Sequence, residues 1–411
     1  MSKQIAQKAL EQGKGVLRLA PAWVPRAFCR PGRRIKLHPG DAYCLGLKRG
    51  AIDERWLAST TPAQNGEGTP EDEGLSYVVA DESGKEKVLL RGMVEMFKGS
   101  VTGDGIYGEY GRWPMLSKFF DNLGPLPHHV HHMDEHAALV GLSGKPEMYF
   151  FPAQMNNYPG EFAFTFFGLS PGTTRLQLER ALRDFTKGDN RILELSRAYK
   201  LELDTGWDVP PGVLHAPGSL CTYEPQFASD VFAMYQSVLL HEHTVDESLL
   251  WKNCPEDKLG DFDYLISMLD WDVNTDPDFG ANRLMLPVPA ADPEAAAEEG
   301  YIDEWICYKC PEAGAKRLTV LPGRSVRISD GAAYGFILVQ GRGLLGGADI
   351  ETPTLIRYGQ LTSDEFFVTE QAAKEGVTIS NTSKTEPLVM LKHYARNPEL
   401  DIFIKKQTCS E

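Results

Sequence analysis

The sequence predicts a mainly β protein made of two β-barrel lobes, with one short helical insert in the first. Three observations predict it. Short alternating runs bounded by Gly, Pro and Asp recur along most of the chain. Only one segment, at about 170–200, carries apolar residues at helical spacing. An Ala, Pro and Glu stretch at 286–300 separates two strand-rich parts and has the composition of a linker. At 411 residues the chain is also too long for one ordinary core.

Residues 1–29 open with "MSKQIAQKALEQGKG", polar and helix-permissive, with no apolar run of a signal peptide. Residues 30–285 form the first predicted lobe. Within it "DAYCLGL", "LSYVVA" and "KVLLRGMVEMF" read as strands between turns. The insert, "PGTTRLQLERALRDFTKGDNRILELSRAYKL", places leucines, Ala181 and Phe185 on a helical period, with Gly188 between its halves, so one or two helices are expected. Strands resume at "CTYEPQFASDVFAMYQSVLL", and a less regular acidic stretch covers 241–275. Residues 301–411 return to short alternating segments and predict the second β lobe.

Composition excludes several function classes. With 42 basic and 57 acidic residues the chain carries −15, a field that repels phosphate backbones and anionic lipid surfaces. Neither nucleic acid nor membrane is expected as a partner, and no run reaches the roughly 20 apolar residues of a membrane-spanning helix. Seven scattered cysteines do not form the framework of a secreted disulfide scaffold, so a cytoplasmic protein is expected. Cys307 and Cys310 make a lone CxxC and read as ordinary strand thiols. "GRGLLGG" at 341–347 lacks the Lys-Ser/Thr of a phosphate-binding loop and reads as a turn. His241 and His243 repeat an HxH spacing without a following PxGxxH and read as surface or interface residues.

The chemistry concentrates at "LPHHVHHMDEHAALVGLSGKPEMYFFP", where five of ten histidines fall within 128–136. In a strand, residues two apart share a face, so His129 and His131 project together, which is half a metal site. Glu147 enters an otherwise apolar strand, and burying a lone carboxylate is costly unless it is paired or metal-bound. His215 follows the Pro210-Pro211-Gly212 turn and offers a further ligand. Glu135 is a second carboxylate candidate. Three imidazoles and a carboxylate suit zinc, manganese, iron or nickel.

HxHxxxE at His129, His131 and Glu135, then Glu147, then PxG with a histidine two residues on, closely resembles the two motifs of the cupin superfamily. Within it the chain resembles the type I mannose-6-phosphate isomerases. "WPMLSKFFDNLGPLPHHVH" is similar to that family's Pro-Leu-Leu-x-Lys segment leading into Gln-x-His, "GKPEMYF" to its Lys-Pro-Glu motif, and "VPPGVLHAPGS" to its Ile-Pro-Ala-Gly-x-x-His-Ala. "IDERWLAST" is similar to Glu-x-Trp-x-x-Ser, and the match runs in order over about residues 50–235.

The resemblance implies two cupin-type jelly-roll lobes, the second without metal ligands. It implies one divalent metal, zinc by family, on His129, His131, Glu147 and His215. Lys118, Lys145 and Glu224 fall around the sugar, with Glu224 as the proton-transfer group and the lysines supporting ring opening or charge. The expected reaction interconverts an aldose and a ketose through an enediol. The expected partner is a small sugar or sugar phosphate, and a homodimer is compatible with it. Two departures stand out: His129 replaces the family's Gln, giving a ligand set closer to cupin oxygenases and decarboxylases, and Met234 replaces its Arg. An iron or manganese dioxygenase or decarboxylase, or a non-catalytic sugar-binding cupin, are the alternatives.

Overall fold

A computed structural model describes residues 2–156, 162–227, 229–239 and 243–408. The fold is β-rich, with several sheets whose strands pair antiparallel. Two of them frame the histidine segment. A seven-stranded sheet runs in the order Leu284–Met285, Gly206–Val209, Glu147–Phe150, Thr222–Phe227, Met115–Phe120, Ala51–Leu57, Ala22–Arg26. A five-stranded sheet runs Ser196–Lys200, Phe164–Leu169, His215–Ala216, His129–Val130, Ala233–Met234.

The remaining large sheet has nine strands and is built mainly from residues 288–395. It also recruits the N-terminal strand Val16–Ala20, which pairs with Glu365–Val368 on one side and Tyr77–Val79 on the other. A four-stranded sheet accompanies it, joining Ser325–Ile328, Val377–Asn381, Arg342–Leu345 and Ala348–Glu351. One apolar cluster spans the two largest sheets: Phe119, Phe150 and Tyr223 of the seven-stranded sheet pack with Ile306, Ile337 and Leu391 of the nine-stranded one. Gly206 makes this approach possible, because a Cβ there would sit 2.7 Å from the Ile306 carbonyl oxygen.

Several local expectations differ from the structure, for identifiable reasons. The insert contains one α-helix, Arg175–Arg183, started by a Thr174–Gln177 capping box and buried through Leu178, Ala181 and Leu182. Its second half is a 3-10 helix, Ile192–Leu195, followed by a strand, rather than a second α-helix. Asn190 bonds the Tyr235 carbonyl, Arg191 turns left-handed at φ 60°, and Ser196–Lys200 becomes a strand against Phe164–Leu169. "DAYCLGL" is a turn between two 3-10 helices, Pro39–Asp41 and Leu47–Arg49, rather than a strand, and His38 opens the first by accepting from the Gly40 N–H. "KVLLRGMVEMF" splits into the strand Lys87–Leu89 and the helix Leu90–Phe97, whose buried Leu90, Met93 and Val94 follow helical spacing.

The linker-like stretch 286–300 is ordered. Val288–Pro289 pairs with the next strand, and Pro293–Glu299 is a helix capped by Asp292 and closed by Gly300 at φ 96°. Ala and Glu are strong helix formers, and Pro at the start with Gly at the end are helix boundaries as much as linker signals. The glycine-rich 341–347 segment is a hairpin, with Leu345 and Ala348 paired across Gly346-Gly347. Cys307 and Cys310 are buried free thiols on the strand Tyr301–Cys310. His241 lies outside the described residues, and His243 sits in the short strand His243–Thr244. Among the described residues no helix is long and apolar enough to cross a membrane.

Candidate metal centre

The five-stranded sheet supplies three histidines from neighbouring strands. His215 is the direct cross-strand partner of His129, and His131 follows one residue beyond the His129–Val130 strand. All three are buried, and their nearest ring nitrogens lie within 4.8 Å of one another. Ring centroids are 4.1 Å apart for His129 and His215 and 5.0 Å for His129 and His131.

Each imidazole is fixed through Nδ1. His129 donates to the Pro127 carbonyl at 2.8 Å, His131 to the Val231 carbonyl at 2.7 Å, and His215 to the Val213 carbonyl at 2.8 Å. A carbonyl only accepts, so the proton sits on Nδ1 and every Nε2 keeps its lone pair. Burial holds His129 well below the usual imidazole range and takes His131 down to about 3, so these rings are neutral. Nε2 atoms that carry a lone pair rather than a proton are what a cation requires.

Glu147 enters from the seven-stranded sheet. Its Oε2 lies 3.1 Å from His131 Nε2 and its Oε1 3.1 Å from His215 Nε2. Burial alone would raise this carboxyl, but its charged surroundings, with Lys145 Nζ at 3.0 Å, hold it well below the carboxylate range, and it stays ionised. Tyr149 donates its hydroxyl to the same carboxylate. His215 Nε2 is buried without a hydrogen-bond partner, a cost a bound cation would remove. Three imidazole nitrogens and one carboxylate therefore fit a divalent metal ion. Glu135, the other candidate carboxylate, has a side chain 67% exposed and lies 4.0 Å from His136 Nδ1.

Lys118, Lys145 and Glu224 stand beside this cluster. Lys118 and Glu224 are direct cross-strand partners, so their side chains share a face. The Glu224 carboxylate has Lys118 Nζ at 3.5 Å and Lys145 Nζ at 3.6 Å. Lys145 also reaches Glu147 Oε2 and His131 Nε2, each at 3.0 Å. Burial and the nearby Glu147 charge push the Glu224 carboxyl up to about 8. The other histidines face elsewhere: His128 bonds Gln236 at 2.6 Å and His136 bonds Ser267 at 3.2 Å.

Around Lys118 lies a charge network that sequence reasoning did not single out. Glu54 accepts from Lys118 at 3.2 Å, from Trp56 Nε1 at 2.8 Å and from Arg26 at 3.2 Å, and Arg26 reaches Asp230 at 3.2 Å. Glu54 belongs to the Glu-x-Trp segment and Asp230 to the Ser-Asp pair, so both motifs were visible. Their joint use around one lysine was not. Met234 pairs across the sheet with His129 and is buried in an apolar cluster with Val130, Leu169 and Tyr235. In the second β part His393 is buried and bonds Tyr223 OH at 2.9 Å.

No protein-family model matches the sequence, and no curated protein is similar to it. Solved structures are similar in fold. The mannose 6-phosphate isomerase from Bacillus subtilis superimposes with a TM-score of 0.59 at 16% identity, over 92% of this chain and 99% of that one. A point variant of the phosphomannose isomerase from Salmonella typhimurium gives 0.61 at 12% identity, over 93% of this chain and 100% of the other. This chain therefore has the fold of the mannose-6-phosphate isomerases.

Proposed function

We propose that this protein is a metal-dependent sugar isomerase that interconverts an aldose and a ketose by proton transfer between neighbouring carbons. One observation carries the reading: three buried imidazoles and Glu147 converge beside a second buried carboxyl, Glu224, held between two lysines. The architecture is read as a cupin-type lobe over 30–285 and a second cupin-like lobe over 301–411. His129, His131, His215 and Glu147 would hold one divalent ion, with zinc, manganese, iron and nickel all compatible. Once bound, such an ion polarises the sugar's carbonyl and hydroxyl oxygens.

Glu224 is the group for moving a proton off one carbon and back onto the next. Lys118 and Lys145 fix its carboxylate from two sides and offer ammonium protons for ring opening or developing oxygen charge. The sugar itself is an unphosphorylated one. Lys118 is paired with Glu54 and Glu224, Lys145 with Glu147 and Glu224, and Arg26 with Glu54 and Asp230, so none is spare for a phosphate. Met234 offers no charge where the resembling family has arginine.

The test is metal analysis followed by NMR detection of solvent deuterium entering free and phosphorylated aldoses beside the carbonyl. Metal-dependent exchange into a free aldose is the expected result; metal without exchange into any sugar overturns the isomerase. The third histidine favours one second reading, an iron or manganese cupin oxygenase, which would consume oxygen with its substrate.

A further inference from the structure

We propose a second ligand site, for a small phosphate monoester carrying hydroxyl groups, in the groove where residues 32–36 and 153–155 face residues 339–342 and 351–355. This groove encloses about 930 Å³ and is a site apart from the histidine cluster. Its Ala153–Met155 wall follows the Phe150 end of the strand Glu147–Phe150, whereas the histidines meet the Glu147 end. One wall comes from the part of the chain that carries the histidines, the other from the C-terminal sheets.

Four cations line it on a chain that is acidic overall: Arg33, Arg34, Lys36 and Arg342, of which Arg34 is already paired with Asp121. Among the described residues the Arg33 and Arg342 side chains make no hydrogen bond or ion pair, and both residues are exposed. Lys36 is part-buried, and burial takes its ammonium down to about 8 against the opposing pull of Asp364. The charge of an arriving dianion would offset that desolvation.

The backbone beneath these cations is also unusual. Arg33 and Lys36 are both left-handed, at φ 71° and 66°, a conformation that side chains other than glycine's adopt at a cost. Tertiary bonds hold it in place. Arg34 between them is clamped by Asp121 Oδ1 at 2.8 Å and the Ser219 carbonyl at 2.7 Å, and the Ile356 N–H donates to the Lys36 carbonyl at 2.8 Å. The loop thus presents two basic side chains at fixed positions toward a groove.

Hydroxyl recognition has partners at the same place. Gln154 Oε1 and Thr352 Oγ1 are buried without hydrogen-bond partners, while Gln154 Nε2 is used by Gln340 at 3.2 Å. Glu351 and Glu386 also line the groove and would accept from hydroxyls while repelling a second anionic group. A phosphate at the arginines with a hydroxylated body toward Thr352 and Gln154 satisfies all of these groups.

Isothermal titration of the full-length protein with glycerol 3-phosphate tests it, with inorganic phosphate, glycerol and glycerate as companion probes. Saturable binding of glycerol 3-phosphate is expected in the native protein and unchanged in Glu147→Gln. Arg342→Gln and Arg33→Gly should each weaken it by roughly tenfold or more. Arg33→Gly keeps the left-handed backbone, and both positions are exposed, so thermal melts should be unaltered. Absence of saturable binding, indifference to both arginine changes, loss of binding in Glu147→Gln, or equal affinity for glycerate would each overturn the proposal.

Discussion

At the residue scale, the candidate centre is set by which nitrogen of each histidine carries the proton. Three backbone carbonyls, of Pro127, Val231 and Val213, fix that choice before any ligand arrives. Removing the Glu147 charge should therefore damage metal binding while leaving the imidazoles in place. Glu147→Gln is expected to lower metal affinity by roughly 10–100-fold, and Glu135→Gln, at an exposed side chain, to leave metal content unchanged. Metal analysis after dialysis against a weak chelator separates them; retention in the first and loss in the second would reassign the carboxylate. A second buried charge group makes a stability prediction. Asp330 bonds Lys392 at 2.9 Å, Lys316 at 3.1 Å and Tyr394 OH at 2.8 Å. Burial alone would raise its carboxyl, but the two lysines bring it down to about 2 from an ordinary 3.8. Its stabilisation is thus complete above pH 3.8 and lost as pH falls through about 2. Asp330→Asn should cost about 3–5 kcal/mol in urea unfolding at neutral pH, because the buried Lys392 ammonium loses its carboxylate while Lys316 keeps Glu399 and Asp303. The gap from the native protein should narrow below pH 4.

At the element scale, the site exists because short strands from two sheets face each other. The candidate residues, though not the two sheets, were legible in the sequence. HxH spacing put His129 and His131 together, the Pro-Pro-Gly turn announced His215, and a carboxylate in an apolar strand marked Glu147. What the sequence left open were contacts with no local period, such as Arg26 meeting Asp230 or Tyr223 meeting His393. Misreadings arose where one pattern served two structures. Leucine spacing over 190–200 suggests an α-helix, yet Ile192–Leu195 is a 3-10 helix and pairing with Phe164–Leu169 makes Ser196–Lys200 a strand, and the Ala-Glu stretch with linker composition contains a helix. Gly218 shows how tightly these short strands are set, since a Cβ there would fall 1.6 Å from the Phe164 carbonyl oxygen. Backbone cannot yield as a side-chain tip can. Gly218→Ala should destabilise the fold by about 1–3 kcal/mol. It should also weaken metal binding by displacing His215, three residues upstream. A thermal melt with and without added zinc checks both, and a stability loss with undiminished zinc stabilisation would mean that the Gly218 segment is not coupled to His215.

At the scale of the whole molecule, chain order and spatial order disagree in a way that bears on cooperativity. The strand Val16–Ala20 comes first in sequence but completes the sheet formed largely after residue 288, through Val16 with Val368 and Leu17 with Phe367. Arg55, in the seven-stranded sheet, is buried with its guanidinium 2.8 Å from both Asp364 oxygens and 2.9 Å from Glu365. Neither half can leave without stranding a strand edge and a set of buried charges. Residues 1–285 expressed alone should therefore show no cooperative unfolding, whereas the full chain should unfold in one transition by both circular dichroism and tryptophan fluorescence. Arg55→Met supplies the sharper test. It preserves apolar volume but leaves Asp364 and Glu365 buried without their cation, so a loss of about 3–5 kcal/mol is expected. Pairing it with Asp364→Asn and Glu365→Gln should recover much of that loss, because the uncompensated charge is then gone. A triple variant as unstable as Arg55→Met alone would show that the arginine holds the sheets together by packing, through its stacking on Trp23, rather than by charge.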